Sequence, residues 1–251
     1  MKYILIILIA LILMNCTKNL PSQATNSNGG IVLTFDDKSV VQWKMADDSL
    51  SQYNWKATFC VSNLNKLSYE DWEILKSFQE SGHEIAGHGY NHVNATDYSK
   101  QYGVLKYVSN EIIPMLTTFN QKGINISSFA YPYGSRSSII DKELSAYFNI
   151  LRGVSYGNQD QLSAKCIYND GNLIYGLGID DKYSHFFVNY YLDLLDYAKR
   201  NNKIVIFYAH TPIDKVEKSV QVSFSTLKII CEYCYLNDIE FLRLKDLIEL
   251  E

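Results

Sequence analysis

Two adjacent carboxylates and two histidines four apart are the residues of this chain best suited to chemistry. The run at 31–37, IVLTFDD, is apolar and uncharged until it ends in Asp36 and Asp37. Such a run reads as a buried strand whose C-terminal tip opens into a site. Neighbouring carboxylates repel, so keeping both at a strand tip calls for a cation, a shared proton or solvent. Further on, HGYNH at 88–92 supplies His88 and His92 at a spacing that one helical turn would bring to a single face. One of the two aspartates with His88 and His92 makes a two-histidine, one-carboxylate metal site, with coordination positions left for water and substrate. The other aspartate is then free to act as a base. Each motif alone has a bland reading, a solvated Asp-Asp loop or a chance pair of histidines. In this order and together they favour a hydrolytic metal centre.

The elements that must hold these residues follow from hydrophobic periodicity. Strands are predicted at 31–36, 57–62, 84–88, 127–132, 150–154, 173–179, 203–209 and 239–243, with helices near 40–52, 69–81, 98–121, 137–148, 185–201 and 222–237. Repeated β-α units in one chain indicate a parallel α/β fold. Asp36 and Asp37, His88, the Tyr131–Gly134 stretch, Asp180 and Asp181, and His210 each follow a predicted strand. Polar residues gathered from many strand tips on one face are the habit of a (β/α) barrel, whereas a doubly wound sheet gathers them at one switch point. No G-x-G-x-x-G follows a strand. The expectation is a single-domain, distorted (β/α) barrel of about seven parallel strands over residues 30–251.

Composition sets the limits. At 251 residues and 47% hydrophobic, the chain can bury a full core. A net charge of -4 gives no basic footprint for nucleic acid. The 20 tyrosines suit a carbohydrate cleft, but core packing explains them equally well. Residues 1–16 read as a signal peptide, with a basic Lys2, an apolar run from Tyr3 to Met14 that is short for a bilayer span, and Cys16 after a Leu-x-x pattern. That ending resembles a bacterial lipobox, which makes Cys16 the expected lipidation site. Residues 17–29, rich in Ser, Asn and Gly, read as a flexible tether. The expected location is therefore outside the cytoplasm, in the periplasm or at the cell surface, with a lipid anchor in the membrane. Cys60 reads as a small core residue of a strand, and Cys231 and Cys234 as the inner face of a helix rather than half of a zinc site.

From residue 30 onward the chain resembles the polysaccharide deacetylases, the NodB-homology or family 4 carbohydrate esterases. Thr34-Phe35-Asp36-Asp37, His88-x-x-x-His92, Ala130-Tyr131-Pro132-Tyr133-Gly134 and Phe207-Tyr208-Ala209-His210 carry the resemblance, in the family's order. It implies that Asp36 is the base and that Asp37, His88 and His92 hold one divalent ion, with zinc ahead of cobalt, nickel or manganese. It further implies that Tyr133 offers a backbone N–H to the oxyanion, that Pro132 and Tyr208 line the substrate pocket, and that His210 is the general acid. The substrate it implies is an acetylated glycan.

The chain departs from the family pattern at several points. Gly89 lacks the hydroxyl that usually follows the first motif histidine, and Ala130 stands where an arginine usually orients the base. Arg136 and Arg152 are the nearest replacements in sequence. The Asp-x-Trp-Trp type motif has no counterpart, Asp180 being its weak stand-in, and Tyr208 replaces a leucine. His83 and His185 have no motif support and read as structural or surface residues. Three other classes share some of these features: an amidohydrolase of the same barrel acting on a small cyclic amide or ureide, a non-catalytic glycan-binding homologue, and a two-histidine, one-carboxylate iron oxygenase. Retention of all five chemical residues argues against the binding protein, and the β-α alternation argues against the oxygenase.

Overall fold

The computed structural model describes residues 29–157, 160–161 and 163–250. Cys16 and nearly all of the signal and tether segments lie outside these residues. Strand β1 (Gly30–Asp37) is followed by β2 (Thr58–Val61), β3 (Glu84–Gly87), β4 (Ser128–Ala130), β5 (Ile150–Ser155), β6 (Leu173–Gly178) and β7 (Ile204–Ala209). These seven run parallel in sequential order, and β7 pairs back onto β1 to close the ring. Two short strands, β8 (Thr211–Ile213) and β9 (Gln221–Ser223), form a small separate sheet, and β10 (Glu240–Leu242) joins the main one. All eight strands expected from periodicity are present; the small β8–β9 sheet was not anticipated.

The barrel is distorted because its foot is wedged open at two seams. Strand β1 pairs with β2 only through Thr34–Asp37, while its first residues, Gly30 to Val32, face β10 instead. Likewise β6 meets β7 only at Leu177 and Gly178. Below that point Tyr168 donates to the Ile204 carbonyl at 2.7 Å and Ile206 donates to the Cys166 carbonyl at 2.8 Å. Each wedge satisfies backbone groups that the splayed strands would otherwise leave unpaired.

Alternation along the strands separates two cores. Ile31, Leu33 and Phe35 of β1, with Phe59 and Val61 of β2, face the surrounding helices. Val32, Cys60, Ala86, Ala130, Ile174 and Ile206 fill the barrel interior, and Leu244 and Leu247 pack into the same interior cluster. The outer layer comprises α1 (Val40–Leu50), α2 (Tyr69–Glu80), α3 (Ala95–Tyr102), α4 (Val104–Tyr107), α5 (Ile113–Gln121), α6 (Ser138–Leu144), α7 (Val188–Asn201) and α8 (Phe224–Leu236). Helix α2 shows why they form: Ser68 and Asp71 close a capping box, and Trp72, Leu75 and Phe78 supply one buried stripe. Cys231 and Cys234 lie on the buried stripe of α8, as expected.

One expected helix is corrected. The stretch 98–121 is not continuous; Gly103, with φ of +91°, parts α3 from α4, and a π turn at Val108–Ile112 parts α4 from α5. Pro114 explains the second break, because its ring has no N–H and clashes with the carbonyl four residues back.

Candidate active site

The C-terminal ends of the strands form the mouth of the barrel, which opens on a cavity of about 410 Å³ lined by Asp36, Asp37, His88, His92, Tyr133 and His210 among others. Strand β1 delivers both aspartates. Asp36 continues the inward register of Val32 and Thr34 and is 3% exposed. Asp37 turns out of the strand with φ of +86°, which frees its carboxylate to meet the histidines. Its Oδ1 lies 3.0 Å from His92 Nε2 and 3.7 Å from His88 Nε2.

The expectation that one helical turn aligns His88 and His92 is overturned. Residues 88–93 form an irregular loop, with φ of +83° at Gly89 and +63° at His92. The two Nε2 atoms nevertheless converge to 3.1 Å. Strand β3 ends at Gly87, and the loop folds over the barrel mouth instead of starting a helix. His88 Nδ1 bonds the Ala130 carbonyl at 2.8 Å, which makes Nδ1 the protonated nitrogen and leaves the Nε2 lone pair for the site. Asp37, His88 and His92 are the set among the described residues whose ligand atoms lie close enough for one cation. Two imidazole nitrogens and one carboxylate, with a backbone carbonyl fixing the buried imidazole, suit zinc or a similar divalent ion.

The charge states oppose each other across the mouth. Burial alone would raise the Asp36 carboxyl, but the Arg152 guanidinium, then His88 and His210, hold it below the ordinary 3.8. Arg152 is wholly buried on β5, and its Nη2 donates to both Asp36 oxygens at 2.6 Å. This settles the choice between the two arginines: Arg136 instead pairs with Asp141, away from Asp36. Arg152 is the direct register partner of Ala130 on the adjacent strand. Ala130 and Gly176 leave it room; a Cβ on Gly176 would stand 3.2 Å from Arg152 Cδ.

His210 follows β7, with its Nδ1 2.6 Å from Asp180 Oδ2 and its backbone N–H donating to Oδ1 at 3.1 Å. Burial disfavours the imidazolium, but the Asp180 hydrogen bond and charge outweigh it and raise the His210 pKa above 6.5. The proton stays on Nδ1, so Nε2 is the atom left to donate into the cavity. Asp180 is fully buried at the end of β6, so the weak stand-in of the sequence pattern is the partner of His210. Burial moves His88 the other way, down to about 4, with the carboxylate of Asp36 opposing the shift.

Tyr133 adopts φ of +60° in a short turn, with its ring centroid 4.7 Å from that of His92. Eight described residues other than glycine have positive φ, and six are Asn or Asp, which tolerate it. The other two are His92 and Tyr133, both at the cavity. Pro132 is buried beneath this turn, and Tyr208 lines the cavity under the Arg152 guanidinium, 5.0 Å from ring to cation.

His83 is not part of the site; it accepts from Ala57 N–H and faces Asp47 at 3.0 Å in the outer core. His185 does line the cavity, yet its Nε2 is bonded to the Gly178 carbonyl. Asp181 caps the start of α8 through Ser223 and Thr226. Tyr156, Tyr183 and Ser184 line the cavity and carried no motif signal in the sequence.

A model of the polysaccharide deacetylase family matches residues 23–147, the stretch that contains Asp36, Asp37, His88, His92 and the turn at Tyr133. The chain belongs to the polysaccharide deacetylase family. Curated relatives include the peptidoglycan-N-acetylglucosamine deacetylase PgdA of Listeria monocytogenes, 30% identical over 128 residues, covering 49% of this chain. The match spans 25% of that relative's length. The fold resembles that of the peptidoglycan deacetylase PdaC from Bacillus subtilis, with a TM-score of 0.55 at 15% identity, covering 88% of this chain and 92% of the other. It also resembles a family 4 acetyl xylan esterase from Clostridium thermocellum solved with a cobalt ion, with a TM-score of 0.57 at 19% identity, covering 88% and 90%. Arg152, Asp180 and His210 fall after the matched stretch; Arg152 and Asp180 stand on geometry, and His210 on geometry and its motif.

Proposed function

We propose that this protein is a metal-dependent hydrolase that removes N- or O-linked acetyl groups from a polysaccharide or cell-wall glycan. The observation that supports this most is the opposed pair at the mouth: a carboxylate kept ionised by Arg152 and an imidazole kept protonated by Asp180, sharing one cavity with three ligand atoms. Asp36 takes the proton of the attacking water. Asp37, His88 and His92 hold the cation, which when bound acidifies a water and polarises the acetyl carbonyl. The Tyr133 backbone N–H supports the developing oxyanion at the cavity wall. His210 Nε2 then donates its proton to the departing amine or alkoxide. Tyr133 and Tyr156 are 64% and 68% exposed beside the cavity, and such rings suit the apolar faces of sugar units.

The test is acetate release from a panel of acetylated glycans, before and after chelator treatment and zinc, cobalt, nickel or manganese return. Chelator-sensitive release from at least one glycan is expected; release indifferent to chelator would remove the metal from the reading. His88→Ala should lose most of its bound metal. Export and lipidation at Cys16 belong to the same reading, on the strength of the apolar run before it. Cys16→Ser should shift the protein out of the membrane fraction or block its processing, and equal partition of both forms would leave no role for the lipid.

A further inference from the structure

The loop carrying His88 and His92 has an unusual support. Two of its five residues hold positive φ, so its shape does not follow from local preference alone. Two backbone bonds tie it, from His88 N–H at its start to the Val61 carbonyl at 3.0 Å and from Leu64 N–H to the carbonyl of its central Tyr90 at 3.2 Å. The next residue, Asn91, is held by one side chain. Glu111 Oε2 accepts from the Asn91 backbone N–H at 2.8 Å, and Oε1 accepts from Asn91 Nδ2 at 2.6 Å. Glu111 is 1% exposed. Glu111 lies outside the motifs, and Asn91 occupies an unspecified position of His88-x-x-x-His92.

Glu111 reaches the loop from the π turn between α4 and α5. Ile113 N–H bonds to the Val108 carbonyl five residues back, which inserts one extra residue into the turn and re-aims the side chains around it. The same carboxylate lies against Gly89: a Cβ there would sit 3.3 Å from Glu111 Oε2. The missing hydroxyl at 89 and the carboxylate of 111 thus occupy neighbouring space. An acid on the helix layer braces the loop where the loop's own side chain cannot.

Building on the metal-site reading above, we propose that Glu111 is a positioning residue of that site: its two-pronged grip on Asn91 presets the separation of the His88 and His92 Nε2 atoms. A brace of this kind acts on cation affinity, because without it the loop must be ordered at the expense of binding. Partners that orient metal ligands typically contribute roughly 10–100-fold to affinity.

The test titrates zinc into metal-stripped, full-length protein in competition with a chromophoric chelator. Glu111→Ala should weaken zinc binding roughly 10-fold or more. Asn91→Ala should weaken it less, since its backbone N–H remains for Glu111. The double variant should bind no worse than Glu111→Ala, because both changes remove one grip. The melting temperature of the metal-free protein serves as the control for a purely structural role. Zinc affinity in Glu111→Ala within about twofold of wild type, or additive losses in the double variant, would overturn the proposal. So would a loss of affinity fully accounted for by a fall in metal-free stability. If Glu111→Ala fails to fold, Asn91→Ala and Glu111→Gln decide the matter by the same affinity criterion. Wild-type protein that takes up no zinc, cobalt or nickel would defeat the metal reading itself, whereas normal uptake with unaffected variants defeats only the role of Glu111.

Discussion

Asp36 at the mouth of the barrel and Glu84 at its foot are both buried carboxylates, each 3% exposed. Burial pushes both towards the neutral acid, yet they end on opposite sides of their ordinary values. Glu84 meets the Ser128 hydroxyl at 2.6 Å, the Lys245 backbone N–H at 2.9 Å and the Thr58 hydroxyl at 3.0 Å. These neutral donors do not offset desolvation, and its pKa rises above 4.5. Asp36 has a fully buried guanidinium and two imidazoles around it, and its pKa falls below 3.8. Depth is the same in the two regions; the charge of the partners decides. The foot uses its carboxyl to tie β2, β3, β4 and the C-terminal segment together, while the mouth keeps a carboxylate able to accept a proton.

The most severe break at the mouth is Asp36→Asn, expected to cut acetate release by roughly 10²–10⁴-fold while keeping the metal, since the role proposed for Asp36 is that of base and not ligand. Metal analysis alongside the assay checks this, and loss of metal would exchange the roles of Asp36 and Asp37. Next comes His210→Ala, expected to cost a similar factor on glycans but far less on activated aryl acetates, whose phenolate leaves without a proton. Equal losses on both substrate types would make His210 a wall of the cavity instead of the acid.

Arg152→Ala tests the difference between the two carboxylates directly. It leaves Asp36 buried beside no guanidinium, which should cost about 3–5 kcal/mol of stability. The Asp36 pKa should rise towards the behaviour of Glu84, so the acidic limb of the kcat/KM profile should move to higher pH. Returning an arginine from the neighbouring strand, in Ala130→Arg with Arg152→Ala, should recover part of that shift. A limb unmoved in Arg152→Ala would show that the histidines suffice.

The smallest effect is expected at the foot. Glu84→Gln keeps an acceptor for Thr58 and Lys245, and the Ser128 hydroxyl can turn to accept from the new amide. Activity and metal content should stay near wild type. The signs of the pH dependence are opposite for the two sites. Stability contributed by Asp36 is present above 3.8 and is lost as pH falls through its lower folded value. Ionisation of Glu84 removes stability as pH rises from 4.5 through its higher folded value, and Glu84→Gln should abolish that decline in denaturant titrations run across pH. A variant with an unchanged pH–stability curve would show that Glu84 stays ionised.

Much of this molecule was legible from its residues. Period-2 runs mark strands because their side chains must alternate between two cores, and Asp36, His88 and His210 fall at the C-terminal ends of such runs, at the mouth. A donor set of one aspartate with His88 and His92 followed from residue type and order, the resemblance singled out Asp37, and the convergence comes from an irregular loop at the barrel mouth where a helical turn was expected. Periodicity says which face a residue takes, but not which strand becomes its neighbour or at what height. Only closure of the barrel showed that Arg152 stands level with Ala130 and therefore reaches Asp36, while Arg136 turns outward to Asp141. Register likewise paired Asp180 with His210 across β6 and β7, and a proline-broken helix brought Glu111 against a loop that looked helical by spacing alone. Residue type fixes what chemistry a side chain can do, and its partners in space, distant in sequence, fix the charge with which it does it.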